Sequence, residues 1–161
     1  MSNAQFIVRR FLTLLSVSSL FAMVPHLYAK AYFASESEMI ERAEIIAIVN
    51  ISAVEQAETK STPFNYYEIA HATVEQTLKG TLPKTVKLYG AENFFCAQVS
   101  YTPGRRLVFL RRDGDLLAGC NWHLGVRPIK GEEVEWYKPE GRGLSWQPLE
   151  AVLARIKKSI K

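Results

Sequence analysis

The pattern of apolar and polar positions predicts a chain that is mainly β. Residues 45 to 54 are nearly continuously apolar and rich in Ile and Val, which is typical of a central strand. Residues 64 to 78 are rich in aromatic and β-branched side chains and predict a second long strand, and residues 85 to 89 alternate with period two and predict a third. The polar, proline-containing residues 55 to 63 predict a loop between the first two strands.

Turn-forming residues place two hairpins in the second half of the chain. Asp113-Gly114 is a strong signal for a tight hairpin turn, and the Pro and Gly residues between 138 and 143 indicate a looser one. The strand pairs that these turns predict are 104–112 with 116–122, and 134–137 with 144–146.

A short helix is predicted near each end of this strand-rich region. Ser35 and Glu38 match a capping box, which predicts a helix from about Glu36 to Ala43. Pro148 suits the first position of a C-terminal amphipathic helix. Its apolar stripe consists of Leu149, Val152, Leu153, Ile156 and Ile160, opposite Arg155, Lys157 and Lys158. Short strands between two helices favour a small closed or half-closed barrel.

The N-terminal residues have the organisation of a secretory signal. Arg9 and Arg10 precede an apolar run, residues 11 to 24, and Ala29 and Ala31 are small residues at the positions that a signal peptidase reads. We expect residues 1–31 to be a cleaved signal peptide and residues 32–161 to form a single domain, periplasmic or secreted. The alternative is an uncleaved membrane anchor, although the run is shorter than the ~18 to 20 residues that cross a bilayer.

Charge argues against a nucleic-acid partner. The chain has 161 residues and a formal charge of +4, but three of its 20 basic side chains lie in the predicted leader. The remaining 17 face 16 acidic side chains, so the mature domain is close to neutral. Contact with a membrane is expected only through the leader, if it is not cleaved.

Two cysteines in an exported domain predict a disulfide between Cys96 and Cys120. The closed loop would stabilise the fold by roughly 3 to 4 kcal/mol in the chain-entropy model. Two alternatives remain open: a zinc site that combines both cysteines with His71 and His123, and a catalytic Cys–His pair. Oxidising conditions disfavour the first, and no residue marks either thiol as activated.

The order of landmarks resembles that of a known family. These landmarks are residues 43 to 49 after a helix, Leu78-Lys79-Gly80 at a strand end, residues 104 to 110, and Cys120 shortly before Arg127-Pro128. Together they are similar to the bacterial proteins that resemble tissue inhibitors of metalloproteinases, which contain a netrin-like domain, over about residues 36 to 128.

The resemblance implies a five-stranded OB-type barrel, with the C-terminal hairpin and helix added to it. It does not transfer the inhibitory residues. In the animal inhibitors the mature chain begins with a cysteine that chelates the zinc of the target protease, whereas here the predicted first residue is Tyr32. Inhibition would therefore need another route.

The inventory of reactive side chains favours binding over catalysis. Outside the leader the only histidines are His71 and His123, the only aspartates lie beside one turn, and no nucleophile elbow or phosphate loop is present. We therefore predict no catalytic residue, metal or cofactor. Aromatic residues are the remaining candidates, and Phe94, Tyr101 and Trp122 form the candidate binding surface.

Three functions follow from these observations. The first is a non-enzymatic exported domain that binds a protein partner in the cell envelope. The second is a carbohydrate or cell-wall binding module that uses exposed aromatic rings. The third is a protease inhibitor that does not use an N-terminal cysteine.

Overall fold

A computed structural model of the protein describes residues 33–61, 63–93, 98–139 and 143–160. The predicted leader, Tyr32, Phe94 and Cys96 lie outside these residues. The helices are α1 (Glu36–Arg42) and α2 (Leu149–Ser159), with a 3-10 turn at Trp122–Gly125. The strands are β1 (Ile45–Lys60), β2 (Asn65–Lys79), β3 (Thr85–Glu92), β4 (Gly104–Asp113), β5 (Leu116–Gly119), β6 (Val126–Lys130), β7 (Glu133–Tyr137) and β8 (Leu144–Pro148).

Five strands close into a ring of pairings. The order is β1-β2-β3-β5-β4, and β4 pairs with β1 again to complete the ring. All these pairs are antiparallel except β3 with β5, which meet in parallel at Tyr89 and Ala118. Strands β6, β7 and β8 continue the sheet from β4. The prediction of a mainly β chain with a short helix and a C-terminal helix is confirmed.

Strands β1 and β4 form a wall that two hydrophobic cores share. Their pairing runs from Ile45 and Leu110 to Ile51 and Gly104. Alternate side chains point to opposite faces of a strand, so the apolar run of β1 supplies both cores. The ring core, drawn from all five ring strands, includes Ala47, Val49, Leu88, Tyr101, Val108 and Leu110. The helix-side core includes Ile46, Ile48, Phe109, Trp136, Val152 and Ile156.

The predicted capping box is present at α1. The Ser35 hydroxyl accepts a hydrogen bond from the Glu38 amide at 3.3 Å, and the Glu38 carboxylate accepts one from the Ser35 amide at 2.9 Å. At the other end, Lys79 donates to the carbonyl oxygens of Ile40 and Glu41 at 2.8 and 3.1 Å. A strand residue thus satisfies helix carbonyls that have no partner within the helix.

The predicted loop at 55–63 is wrong for most of its length. Strand β1 continues to Lys60, which pairs with Asn65 of β2. These residues are polar because this part of β1 runs past the end of β4, where most of its side chains are exposed. Pairing with β2 therefore overrides the local loop signal.

Two further differences concern the second half of the chain. Strand β6 was not predicted; it pairs with β4 through Val108 and Val126 and links the ring to the C-terminal hairpin. The strand predicted at 116–122 ends at Gly119, because Asn121 and Trp122 both adopt positive φ and start the 3-10 turn.

The C-terminal hairpin and helix are confirmed, with one change. Strands β7 and β8 pair as predicted. Pro148, however, ends β8 and caps α2 instead of occupying its first turn. The amide of Leu149 donates to the Glu132 carbonyl at 2.8 Å and so ties the start of α2 to the preceding turn.

Gly125 is predicted to be indispensable for this packing. A Cβ there would lie 2.3 Å from the Cys120 carbonyl oxygen and 2.9 Å from that of Phe109. Because backbone atoms cannot move aside cheaply, we expect Gly125→Ala to lower the free energy of unfolding by about 3 kcal/mol, at the upper end for overpacking. Urea denaturation measures the free energy of unfolding of both proteins. Gly131→Asn is the control, since Gly131 has φ +57 in open space and Asn tolerates that conformation; equal losses would contradict the prediction.

Candidate functional site

Of the three residues of the predicted binding surface, the structure places Tyr101 in the interior. Tyr101 is 3% exposed and belongs to the ring core. Trp122 is half-buried and packs against the same core. Phe94 lies outside the described residues. Tyr101 therefore offers no face to a ligand, and its ring helps to close the interior of the ring.

Two buried carboxylates hold the segment that carries Tyr101. Glu68 on β2 accepts a hydrogen bond from the Tyr101 amide at 2.5 Å, and Glu92 on β3 accepts one from the Val99 amide at 3.0 Å. Glu92 is 1% exposed. Residues 98 to 101 have no regular secondary structure, so these bonds replace a strand ladder in satisfying their amides. Sequence reasoning missed both glutamates, because nothing local distinguishes a buried acceptor from a solvated acid.

A tyrosine, an arginine and an aspartate extend this polar cluster. Arg111 donates to the Tyr66 hydroxyl at 3.0 Å, and that hydroxyl donates to Asp113 at 2.8 Å. Burial and the bond to Asp113 raise the pKa of Tyr66 to about 12. Burial, together with the charges of Glu92 and Glu68, raises the pKa of Tyr101 as well. Both phenols stay protonated at neutral pH, and the hydrogen bonds of the cluster join β2, β4 and residues 98 to 101.

A polar groove of about 430 Å³ lies over β1, β2 and β3. Its polar lining residues are Ser52, His71, Thr73, Thr85 and Lys87. The His71 imidazole is 3.0 Å from a Glu55 carboxylate oxygen. The Ser52 hydroxyl donates to the backbone carbonyl of His71 at 3.2 Å, so it is not aligned with the imidazole as a nucleophile would be.

Cys120 lies on the opposite side of the shared wall from residues 98 to 101. It is a free, buried thiol in the helix-side core, and burial raises its pKa. Neighbouring Gly119 faces Val99 so closely that a Cβ at residue 119 would lie 2.7 Å from the valine side chain. The predicted disulfide is not found among the described residues, and Cys96 lies outside them.

The metal alternative gains no support from this arrangement. His71 lies on the exterior of β2, whereas Cys120 is enclosed beneath α1, and the described residues contain no group of three or more metal-ligating side chains. Within the same residues, no helix is long and apolar enough to span a membrane.

Arg127 is a second buried polar group, on the helix side. It is 1% exposed, and its Nε and Nη2 atoms have no hydrogen-bond partner among the described residues. Its guanidinium lies 5.3 Å from the centre of the Tyr137 ring, which stabilises the cation, and the charge of Glu135 acts in the same direction. Burial lowers the pKa of Arg127, and the nearby Tyr137 opposes that shift. The enclosed guanidinium supports the packing of β6 on β7.

Beyond the end of β4, β1 pairs with β2 alone among the described residues. We call β1 residues 52–60 and β2 residues 65–71 the arm. Beyond Ile51, β1 has no pairing with β4, because β4 begins at Gly104. The arm carries Glu55, Glu58 and Tyr67 on its exposed surface, and Tyr67 is 41% exposed.

Comparison with known proteins gives no match. No family model matches the chain, and neither the curated proteins nor the solved structures contain a significant relative.

The raised tyrosine pKa predicts a loss of stability at high pH. A phenol whose pKa is higher in the folded state stabilises the fold below its ordinary value of about 10 and loses that contribution as pH rises toward 12. At neutral pH, Tyr66→Phe should destabilise by about 1 to 2 kcal/mol through its two lost hydrogen bonds. Urea denaturation at several pH values should show that the difference in unfolding free energy between the wild type and Tyr66→Phe shrinks above pH 10. A difference that is constant with pH would contradict the raised pKa of Tyr66.

The burial of Cys120 predicts a protected thiol. In the native protein Cys120 should react with a thiol reagent at least tenfold more slowly than after denaturation, because its sulfur is enclosed and its thiolate is disfavoured. Mass spectrometry of labelled peptides measures both rates. Absence of any labelled Cys120 after denaturation without reductant would instead restore the disulfide to Cys96.

Proposed function

We propose that this protein is an exported, non-enzymatic, OB-like domain that binds a protein partner in the cell envelope through the arm. The observation that carries the proposal is the continuation of β1 past the end of β4, where the arm exposes acidic and aromatic side chains and one edge of β1 has no strand partner among the described residues. Open strand edges of this kind are typical contact surfaces for other chains.

The topology supports the OB-type barrel within this proposal. The strand order, with a return from β4 to β1 and a parallel contact between β3 and β5, closes five strands as an OB-type barrel does. A relationship to the bacterial proteins that resemble tissue inhibitors of metalloproteinases is part of the same proposal. The additional β6, β7, β8 and α2 would then be an elaboration that buries the outer face of the wall.

The filled interior favours an exterior binding surface. Apolar side chains from all five ring strands occupy the ring core, and Tyr101 belongs to it. A ligand inside the ring would have to displace these side chains. Beside His71, the Ser52 hydroxyl donates to the backbone carbonyl of that residue and not to its imidazole, so the pair is not arranged as a nucleophile and its base.

Export is supported by the leader sequence, because the sequence of residues 1–31 has the three regions of a secretory signal. A disulfide would have supplied an independent argument for an oxidising compartment. With Cys120 free, the proposal of a periplasmic or secreted location depends on the leader.

Carbohydrate binding is a second candidate, favoured by one exposed aromatic ring. Trp146 on β8 is exposed, and Lys130 lies 4.6 Å from the centre of its indole ring. An indole on a flat strand can serve as a platform for a sugar. If a glycan binds there, titration should quench tryptophan emission in the wild type and not in Trp146→Phe. Protease inhibition is a special case of the main proposal, in which the bound partner is a protease.

The arm can be tested by capture with matched variants. The immobilised mature domain should retain a defined protein from envelope extract, and Glu58→Ala/Tyr67→Ala should lose at least four-fifths of it, because tyrosine is enriched among the interface residues whose truncation costs ~2 kcal/mol or more. Trp146→Ala is the control: it also removes an exposed aromatic ring but leaves the arm intact. Retention of the same protein by the arm variant, or of none by the wild type, would refute the proposal.

A further inference from the structure

The edge of β1 that faces away from β2 is open along the arm. The ladder between β1 and β4 ends at Ile51 and Gly104. The residue before Gly104 is Pro103, which has no N–H to donate, and Gly104 has φ +113, so the chain turns away from β1 there. Among the described residues, β1 from Ser52 onward therefore pairs on one side only.

This edge can accept another strand. Residues 52 to 60 contain no proline, and Ala53 to Gln56 pair with consecutive residues of β2, so this run is regular. The register shifts between Gln56 and Thr59, which bends the strand after that run. An open strand edge presents free N–H and C=O groups in the spacing that an added strand requires.

The charges beside the edge indicate what kind of strand fits. Glu55 and Glu58 are both exposed, and Glu58 has no ion pair among the described residues. The basic group nearest to Glu55 is His71, at 3.0 Å, while Lys60 lies at the far end of the strand. Opposite charges on neighbouring strands stabilise a pair, and like charges destabilise it. Basic side chains on the added strand would face these two carboxylates.

We propose that an extended peptide segment with Lys or Arg at alternate positions adds as a new strand to the open edge at residues 53–60. This inference rests on the proposed function, because it names the partner class for the same arm. The backbone of the edge supplies the hydrogen bonds, and the two glutamates select a basic sequence over a neutral or acidic one.

Synthetic peptides test the inference directly. The probe is a fluorescent peptide in which Lys alternates with Val and Thr. Two matched peptides replace Lys by Glu, or keep Lys and carry N-methyl groups on alternate backbone nitrogens. Anisotropy titration of the full-length domain should show binding of the first peptide alone, and the amide resonances of residues 53–60 should shift. Binding that survives N-methylation would show a purely electrostatic contact and overturn the inference.

Charge-reversed variants complete the test. Glu55→Lys/Glu58→Lys should weaken binding of the basic peptide about tenfold or more, because two favourable cross-strand pairs become repulsive. Glu132→Lys/Glu133→Lys makes the same change in net charge at exposed positions outside the arm and should bind as the wild type does. Equal weakening by both variants would overturn the inference.

The failure of this inference is separable from failure of the proposed function. If the envelope protein is captured equally by the wild type and by Glu55→Lys/Glu58→Lys, but not by Glu58→Ala/Tyr67→Ala, the arm binds a partner without a basic added strand. If no variant captures a partner and no peptide binds, both proposals are refuted together.

Discussion

The pairing of β1 with β4 is the constraint on which the rest of the structure depends. Seven consecutive residues of β1, from Ile45 to Ile51, are held against β4 and are buried except for Asn50. Each face of this wall borders its own core, so neither core can form without it. The ring closes on one face, and the two helices with the C-terminal hairpin cover the other. A chain of this size thereby buries two layers of side chains around a single strand pair.

The end of the same pairing determines what is exposed. Pro103 and Gly104 stop the ladder, and β1 continues without β4 into a polar hairpin. Inside the ring, Glu68 and Glu92 compensate for the irregular path of residues 98 to 101 by accepting their amides. The interior is consequently closed, and the surface that we propose for recognition lies along the arm. The end of the β1–β4 pairing therefore leaves open the strand edge on which the proposed function depends.

Local sequence signals were sufficient where a single interaction decides the structure. The capping box at Ser35 and Glu38, the Asp113-Gly114 turn and the apolar run from Ile45 each predicted the right element. They were insufficient where distant pairing decides. Residues 55 to 60 look like a loop until β2 pairs with them, and β6 has only five residues, with a proline among them. The burial of Tyr101 likewise depends on a distant contact, since the Tyr101 amide is held by Glu68 of β2.

Native-state hydrogen exchange of β1 tests the central claim most directly. The account predicts that amides between Ile45 and Ile51 exchange only by global unfolding, because they are paired on both edges and buried on both faces. Amides of residues 53–60 that face the open edge should exchange faster by orders of magnitude, alternating with slower ones that donate to β2. Uniform strong protection along the whole of β1 would contradict the account, since it would mean that the edge beyond Ile51 is already covered.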